Sequence, residues 1–345
     1  MKILVGMSGG VDSTYAALAL LRLGHSVEGA VLLMHDHTEI GAAKESAAGV
    51  GIPLHVIDCR ERFENAVVKN FISEYLGGRT PNPCVVCNSD VKFRVLYEYA
   101  MERGFDMIAT GHYAKITKIT ENSATRYAVS RSLDVKKDQT YMLWRLSQDI
   151  LAKLCFPLAE SSKSEVRKES YAASLSAADR KDSQEICFIP SGDYPDFIEE
   201  RVGKLPHGRF LDSHGRDLGE HKGIIRYTVG QRKGLGVAAG QRIFVTDIDA
   251  ENNNVILSTE DSYSDKVYVN GIRFSGISEL DVGEKRALYV KLRYRAAPVP
   301  CIFEYLGDGG GVARMETPAR AVTPGQSAVF YDGDTVALGG FIQRG

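Results

Sequence analysis

The chain has 345 residues, of which 44% are hydrophobic and 25% charged, ordinary values for folded domains that exclude wholesale disorder, collagen-like repetition and a coiled coil. At about 150 residues per domain, the length points to two or three units. With 42 Lys and Arg against 44 Asp and Glu the net charge is -2, so any contact with nucleic acid must use local patches rather than a basic body.

The first third alternates strands with helices. Lys2 to Gly6 is a short apolar run, and Ser13 to Leu23 repeats apolar residues at helical spacing until Gly24. Val27 to Met34, Glu39 to Ala48, Leu54 to Asp58 and Glu61 to Leu76 continue as strand, helix, strand and helix. Such alternation predicts a doubly wound α/β domain with a parallel sheet. Gly77 to Cys87 breaks the pattern with Pro81 and Pro83 and reads as a surface loop, after which another helix and strand run from Val91 through Ile108 to Gly111. Beyond Gly203 short runs recur between turn residues: Arg242 to Asp247, Asn254 to Ser258, Ala287 to Arg295, Cys301 to Tyr305 and Ser327 to Tyr331. These predict two small antiparallel β-barrel-like domains. The expected units are 1–203, 204–267 and 268–345.

No run approaches the roughly 18 apolar residues of a membrane span, and Met1 to Val5 leads straight into structure without a signal peptide. The expectation is a cytoplasmic protein with no membrane partner. Its six cysteines are too sparse for a secreted disulfide scaffold, so reduced thiols are expected.

The string Gly6-Met7-Ser8-Gly9-Gly10-Val11-Asp12-Ser13 lies between the first strand and first helix. Its glycines permit close backbone approach, and its hydroxyls and helix amides can donate to phosphate oxygens. It lacks the lysine of a Walker loop and resembles the pyrophosphatase-type ATP loop of adenylating enzymes, which cleave ATP between the α and β phosphates. The bland alternative is a glycine-rich turn capped by Asp12 or Ser13. A second string, Gly234 to Ala239, matches the dinucleotide fingerprint only formally, because no helix follows it.

Cys84 and Cys87 follow the proline loop at the expected mouth of a helix, where a thiol is exposed and its pKa lowered. Cys187 lies far along the chain in a partly polar segment. Cys155 and Cys301 read as small buried residues. A structural zinc site is poorly supported, since one Cys-x-x-Cys leaves ligands unidentified. The segments His35-Asp36-His37 and Gly111-His112 read as polar turns. Lys291, Arg293, Tyr294 and Arg295 on one strand, and Arg226, Arg232 and Lys233 beside a turn, suit phosphate contact or base stacking as well as they suit a solvated face.

Several long motifs now add up. Gly-Met-Ser-Gly-Gly-Val-Asp-Ser, Gly-Arg-Thr-Pro-Asn-Pro, Ala-Thr-Gly-His-Tyr, Lys-Asp-Gln, Ile-Cys-Phe-Ile, Gly-Gln-Arg-Lys-Gly-Leu-Gly and Thr-Pro-Gly-Gln-Ser-Ala-Val-Phe-Tyr stand in the order found in bacterial tRNA-specific 2-thiouridylases. The resemblance spans essentially the whole chain. It implies ATP-dependent sulfur transfer to C2 of the wobble uridine of tRNA, with Mg²⁺ accompanying ATP and a persulfide-carrying donor protein as a second partner. By position, it implies that Gly6, Met7, Ser8, Gly9, Gly10, Val11, Asp12, Ser13, Met34 and Gly111 bind ATP. Cys87 falls at the nucleophile and Cys187 at the persulfide carrier, the two closing a transient disulfide. Asn82, Pro83 and Cys84 fall at the target base, and Lys137, Asp138, Gln139, Arg293 and Tyr294 on segments that contact tRNA.

Two departures stand out. Many relatives carry Asp where this chain has Cys84, and the segment from His35 to Ile40 is shorter than usual. The third thiol raises an alternative in which Cys84, Cys87 and Cys187 hold a [4Fe-4S] cluster. The chain admits two other classes: a small-molecule ligase of the amide or argininosuccinate type, which would need neither Cys87 nor Cys187, and a non-catalytic RNA-binding module.

Overall fold

The computed structural model describes residues 1–121, 124–180, 186–189, 192–237 and 240–345. Residues 238–239 of the Gly234 to Ala239 string, and 181–185 ahead of Cys187, lie outside the described residues.

The N-terminal unit is wound on a parallel sheet. Its strands are β1 (Lys2–Gly6), β2 (Ser26–Leu33), β3 (Leu54–Asp58), β4 (Met107–Thr110) and, beyond a hairpin of β5 (Lys115–Glu121) and β6 (Ala124–Ser130), β7 (Leu154–Cys155). They run parallel in the order β3-β2-β1-β4-β7. Alternation along β1 serves both faces. Ile3 and Val5 pack with Ala17, Leu20 and Ala47 from α1 (Val11–Arg22) and α2 (Ile40–Val50). Leu4 faces the larger core with Phe63, Phe71, Phe93 and Leu96.

The helices of that second face are not regular. α3 (Arg60–Phe63) passes through a π turn, Glu64–Val68, into α4 (Lys69–Leu76). α5 (Pro83–Val86) passes through a second, Cys87–Lys92, into α6 (Phe93–Glu102). Such π insertions recur at functional sites. Among the described residues, three further α-helices complete the unit: α7 (Gln148–Leu151), α8 (Lys163–Ala172) and α9 (Tyr194–Val202).

Two β units follow. The first has β8 (Gly208–Asp212), β9 (Asp217–His221), β10 (Phe244–Asp249) and β11 (Asn254–Ser258) in the order β10-β11-β8-β9. It departs from an all-antiparallel expectation at β8 and β11, which pair parallel. The second has β12 (Tyr263–Phe274), β13 (Lys285–Lys291), β14 (Val299–Gly307), β15 (Gly310–Arg320), β16 (Ser327–Asp332) and β17 (Thr335–Ile342). Pairing of β12 with β17 closes these six strands into a barrel. The expected break at 267/268 falls inside β12, whose pairing with β15 already begins at Tyr263 opposite Arg320. The expected strand to Arg295 also ends early, at Lys291, because the chain turns there and Ala296 N–H donates back to the Arg293 carbonyl at 3.1 Å.

The barrel is joined to the first unit through its core. Ser130 of the β5/β6 hairpin pairs with Thr335 on β17. Trp144, 1% exposed, lies on β17 and donates from its indole nitrogen to Ser327 Oγ at 3.0 Å. A Cβ on Gly339 would come within 2.5 Å of that indole ring, so this position needs glycine. Among the described residues no helix is long and apolar enough to cross a membrane.

Candidate functional site: a phosphate loop abutting a thiol cleft

Strand order reverses between β1 and β4, and ligands of open α/β sheets bind at such a point, beyond the carboxyl ends of the strands. The Gly6 to Ser13 string occupies this position. Gly9 adopts φ +80°, and a Cβ there would lie 2.7 Å from Ala42. Ser8 N–H donates to Ser13 Oγ at 3.2 Å, Ser13 Oγ to the Gly10 carbonyl at 3.0 Å, and Thr14 Oγ1 to the same carbonyl at 2.9 Å. From β4, Gly111 closes over the loop so tightly that a Cβ would sit 2.5 Å from the Asp12 carbonyl carbon.

Helix α1 is not capped by Asp12 or Ser13. Its N-cap is Gly10, with no side-chain cap bond, so the first-turn amides face the crevice where an anion is favoured. The Asp12 carboxylate turns instead to Lys163, whose ammonium lies 2.8 and 2.7 Å from its two oxygens, and accepts from Tyr113 OH at 2.8 Å. A negative charge beside a phosphate site is thereby neutralised by a lysine 151 residues away. Arg180 reinforces the loop from outside, donating to the Gly9 carbonyl at 2.6 Å and pairing with Glu45 at 2.7 Å. Lys163 and Arg180 were not legible as loop partners. The Ser162 capping box with Glu165 marks the start of α8, but not what Lys163 would meet.

The thiol cleft adjoins this loop. Asn82 caps α5 by accepting from Cys84 N–H at 3.2 Å, and Pro83 takes the first helical position. The proline loop is held by the barrel: Thr80 N–H donates to the Pro324 carbonyl at 2.9 Å, and Gln326 Nε2 to the Thr80 carbonyl at 2.8 Å. Cys187 is fixed by its neighbour Phe188, which packs against Phe63, Phe71 and Phe197 with ring centroids 5.4 Å apart in each case. Cys84 and Cys187 are exposed, and Cys87 is buried. The fold brings all three within electrostatic reach of one another.

The expectation of an exposed, acidified Cys87 is overturned. Cys87 begins the π turn, one turn past the Asn82-capped start of α5, and is only 7% exposed. Burial pushes its thiol up to about 12, aided by the neighbouring thiols, and desolvation by the cleft walls also raises Cys84 and Cys187. The cation that opposes this for all three is Lys92. Its ammonium bonds Asn88 Oδ1 at 3.1 Å and has no carboxylate partner among the described residues. The π turn puts Lys92 five residues after Cys87, a register that a sequence read at 3.6 residues per turn does not show. Burial and Lys92 also press His112 down to about 3, so its imidazole is neutral, with Nδ1 2.7 Å from Thr110 Oγ1.

The remaining expected contacts divide. Met34 reaches the cleft, with Sδ 3.8 Å from Cys87 Sγ. Asp138 is 7% exposed, accepts from Thr140 N–H at 3.0 Å and Oγ1 at 2.7 Å, and faces Lys291 at 3.7 Å. Gln139 Oε1 accepts from Tyr113 N–H at 2.8 Å. Both therefore hold the frame, and Lys291 is a buried partner rather than a surface cation. Arg293 donates to the Ala321 carbonyl at 2.7 Å and Thr323 Oγ1 at 3.0 Å, while Tyr294 packs toward Tyr141. Arg226 is paired with Asp196 and Glu199. Among the described residues no three His, Cys, Asp or Glu side chains converge closely enough to share a metal ion.

Fold and site together define an adenine-nucleotide α/β enzyme with two appended β units, and family models match in the same sequence: a tRNA methyl transferase HUP domain over residues 1–191, a tRNA methyl transferase PRC-barrel domain over 195–259 and an aminomethyltransferase beta-barrel domain over 264–342. Full-length relatives are closer. The chain is 43% identical to tRNA-specific 2-thiouridylase MnmA of Acetivibrio thermocellus, covering 99% of each chain. It is 43% identical to MnmA 1 of Caldanaerobacter subterraneus subsp. tengcongensis and 39% identical to MnmA of Carboxydothermus hydrogenoformans, covering 99% of this chain and 98% of each of those. The chain belongs to the tRNA-specific 2-thiouridylase family.

Proposed function

We propose that the chain replaces the C2 oxygen of the wobble uridine of tRNA by sulfur, in a reaction driven by ATP. The observation that carries this reading is the 3.8 Å contact between Met34 and Cys87, which joins the nucleotide crevice to the thiol cleft. The matching family models are named for methyl transfer, whereas the three thiols and the full-length relatives favour sulfur.

The chemistry runs in two stages. In the first, Gly6 to Ser13, Met34 and Gly111 hold ATP so that the uridine C2 oxygen attacks the α phosphorus and pyrophosphate leaves with its bonding electrons. Oxygen thereby becomes part of AMP, a far better leaving group. Mg²⁺ shields the phosphates and travels with the nucleotide. In the second, a persulfide on Cys187, loaded by a donor protein, attacks C2 through its terminal sulfur and AMP departs. Cys87, as thiolate, then attacks the Cys187 sulfur. The bond between Cys187 Sγ and the terminal sulfur breaks, its electron pair stays with the terminal sulfur, which remains on C2 as 2-thiouridine, a Cys87–Cys187 disulfide forms, and an external dithiol returns two electrons before the next turnover.

Lys92 supplies the positive field in which sulfur becomes anionic. Cys84, held as a neutral thiol at neutral pH, does not supply the anionic base that a carboxylate would at this position. Asn82 and Pro83 shape the pocket for the base. Lys137, Arg293 and Tyr294 are assigned to tRNA contact, while Asp138 holds Thr140 and Lys291, and Gln139 holds Tyr113. The work divides among an adenylating unit ending near 203 and two β units that grip tRNA, all in the cytoplasm. The test is incubation with unmodified tRNA, ATP, Mg²⁺ and a persulfide donor, followed by nucleoside mass analysis. The expected products are 2-thiouridine, AMP and pyrophosphate; absence of both AMP and 2-thiouridine overturns the reading.

A further inference from the structure

Four arginines meet where three parts of the chain join. Arg62 from α3, Arg94 from α6, Arg145 from the segment before α7 and Arg273 from β12 line a cavity of about 220 Å³ with Ser89, Asp90 and Ser147. Guanidinium groups repel one another, and three of these are compensated by carboxylates. Arg62 pairs with Glu98 at 2.7 Å, Arg94 with Asp149 at 2.8 Å and Arg145 with Asp90 at 2.6 Å. Arg273 has no ion pair or side-chain hydrogen bond among the described residues. Four cations thus face three anions, leaving one positive charge over a polar cavity.

Guanidinium groups match phosphate oxygens in geometry and are its preferred protein partners. We propose that this cavity is a phosphate site, and that its occupant is a backbone phosphodiester of the RNA substrate. The assignment rests on the thiolation reading and adds a contact that none of the motif residues provides. Two features favour the backbone over free phosphate. The surplus of one charge suits the single charge of a phosphodiester better than the larger charge of inorganic phosphate. Ser89 and Asp90 also belong to the π turn that carries Cys87 and Lys92, so an RNA strand at the thiol cleft is close to the cavity's rim. A phosphate bound there would bridge Arg273 of the barrel to the arginines of the α/β unit.

The test uses the full chain with Arg273→Ala and Arg273→Lys. Arg273 is exposed and lies outside both the nucleotide loop and the thiol cleft. Affinity for unmodified tRNA is measured across a salt series, beside calorimetry with ATP and with inorganic phosphate. For Arg273→Ala the expected result is several-fold weaker tRNA binding and a log–log salt slope reduced by about one phosphate contact, roughly 0.7 to 0.9, with ATP affinity unchanged. Arg273→Lys should keep most of the slope. Unchanged tRNA affinity and slope in Arg273→Ala overturn the proposal. If that variant loses binding of inorganic phosphate while its tRNA slope stays intact, the site takes free phosphate and the RNA assignment falls. A wild-type chain that makes 2-thiouridine while Arg273→Ala keeps its slope sinks this site alone; a wild-type chain that binds no tRNA sinks the function reading instead.

Discussion

The phosphate loop and the thiol cleft share the carboxyl end of one sheet and are built on opposite electrical plans. The loop is dense in hydrogen bonds, and its carboxylate is matched by Lys163 and Tyr113. The cleft is poor in partners: three thiols are raised by desolvation and opposed by one ammonium, that of Lys92. The difference suits the two half-reactions proposed for them. Phosphate chemistry needs fixed donors and balanced charge before the ligand arrives. In the proposed persulfide relay, burial keeps the three thiols protonated and so unreactive, with Lys92 as the one group that favours the thiolate.

The largest expected effect tests whether the regions can be separated. Cys187→Ser or Cys87→Ser should lower 2-thiouridine formation by about three orders of magnitude or more, while single-turnover pyrophosphate release continues. Loss of both together would show one indivisible site. Next, Lys163→Met leaves the Asp12 carboxylate facing the phosphates, and ATP affinity by calorimetry should fall about 10- to 100-fold, or about 1.4 to 2.8 kcal/mol. Thiol alkylation in that variant should not change.

Gly339→Ala probes the join to the barrel rather than either site. Its Cβ meets the Trp144 ring, so thermal melting should show a loss of about 1 to 3 kcal/mol with ATP affinity preserved. The smallest effect concerns pH. Because burial favours the protonated form of Cys87, its alkylation should rise about tenfold per pH unit from neutrality to beyond pH 10 with no plateau. Lys92→Gln should displace that profile to higher pH and slow alkylation at fixed pH about three- to tenfold, with Lys92→Arg restoring it. A profile unmoved by Lys92→Gln would leave the cleft without its electrostatic counterpart to the loop.

The same contrast explains what was readable in the chain. The phosphate loop is eight consecutive residues between a strand and a helix, and contiguous sequence carries its chemistry. The alternation of strands and helices likewise announced the parallel sheet, since Ile3, Leu4 and Val5 feed cores on both of its faces. The thiol cleft is gathered from segments 100 residues apart, as Cys87 and Cys187 are, and its electrostatics follow from burial that no local pattern encodes. Cys87 shows this directly: its place near a helix start points to a lowered pKa, whereas packing behind the first turn raises it. The basic residues follow the same rule. Lys291 and Arg226 look like surface cations in a strand and a turn, and both are held by carboxylates from other elements.

The hairpin that pairs Ser130 with Thr335, and the indole of Trp144 beneath Gly339, bear on how the chain is made. By the time the α/β unit has left the ribosome, one hairpin edge still lacks its neighbour and a tryptophan still lacks its cover. Both are supplied by β17, which is synthesised well after them. The adenylating unit therefore reaches its finished form only after the barrel has closed, and a nascent chain halted before β17 would display an open edge and an uncovered indole to the cell's folding surveillance.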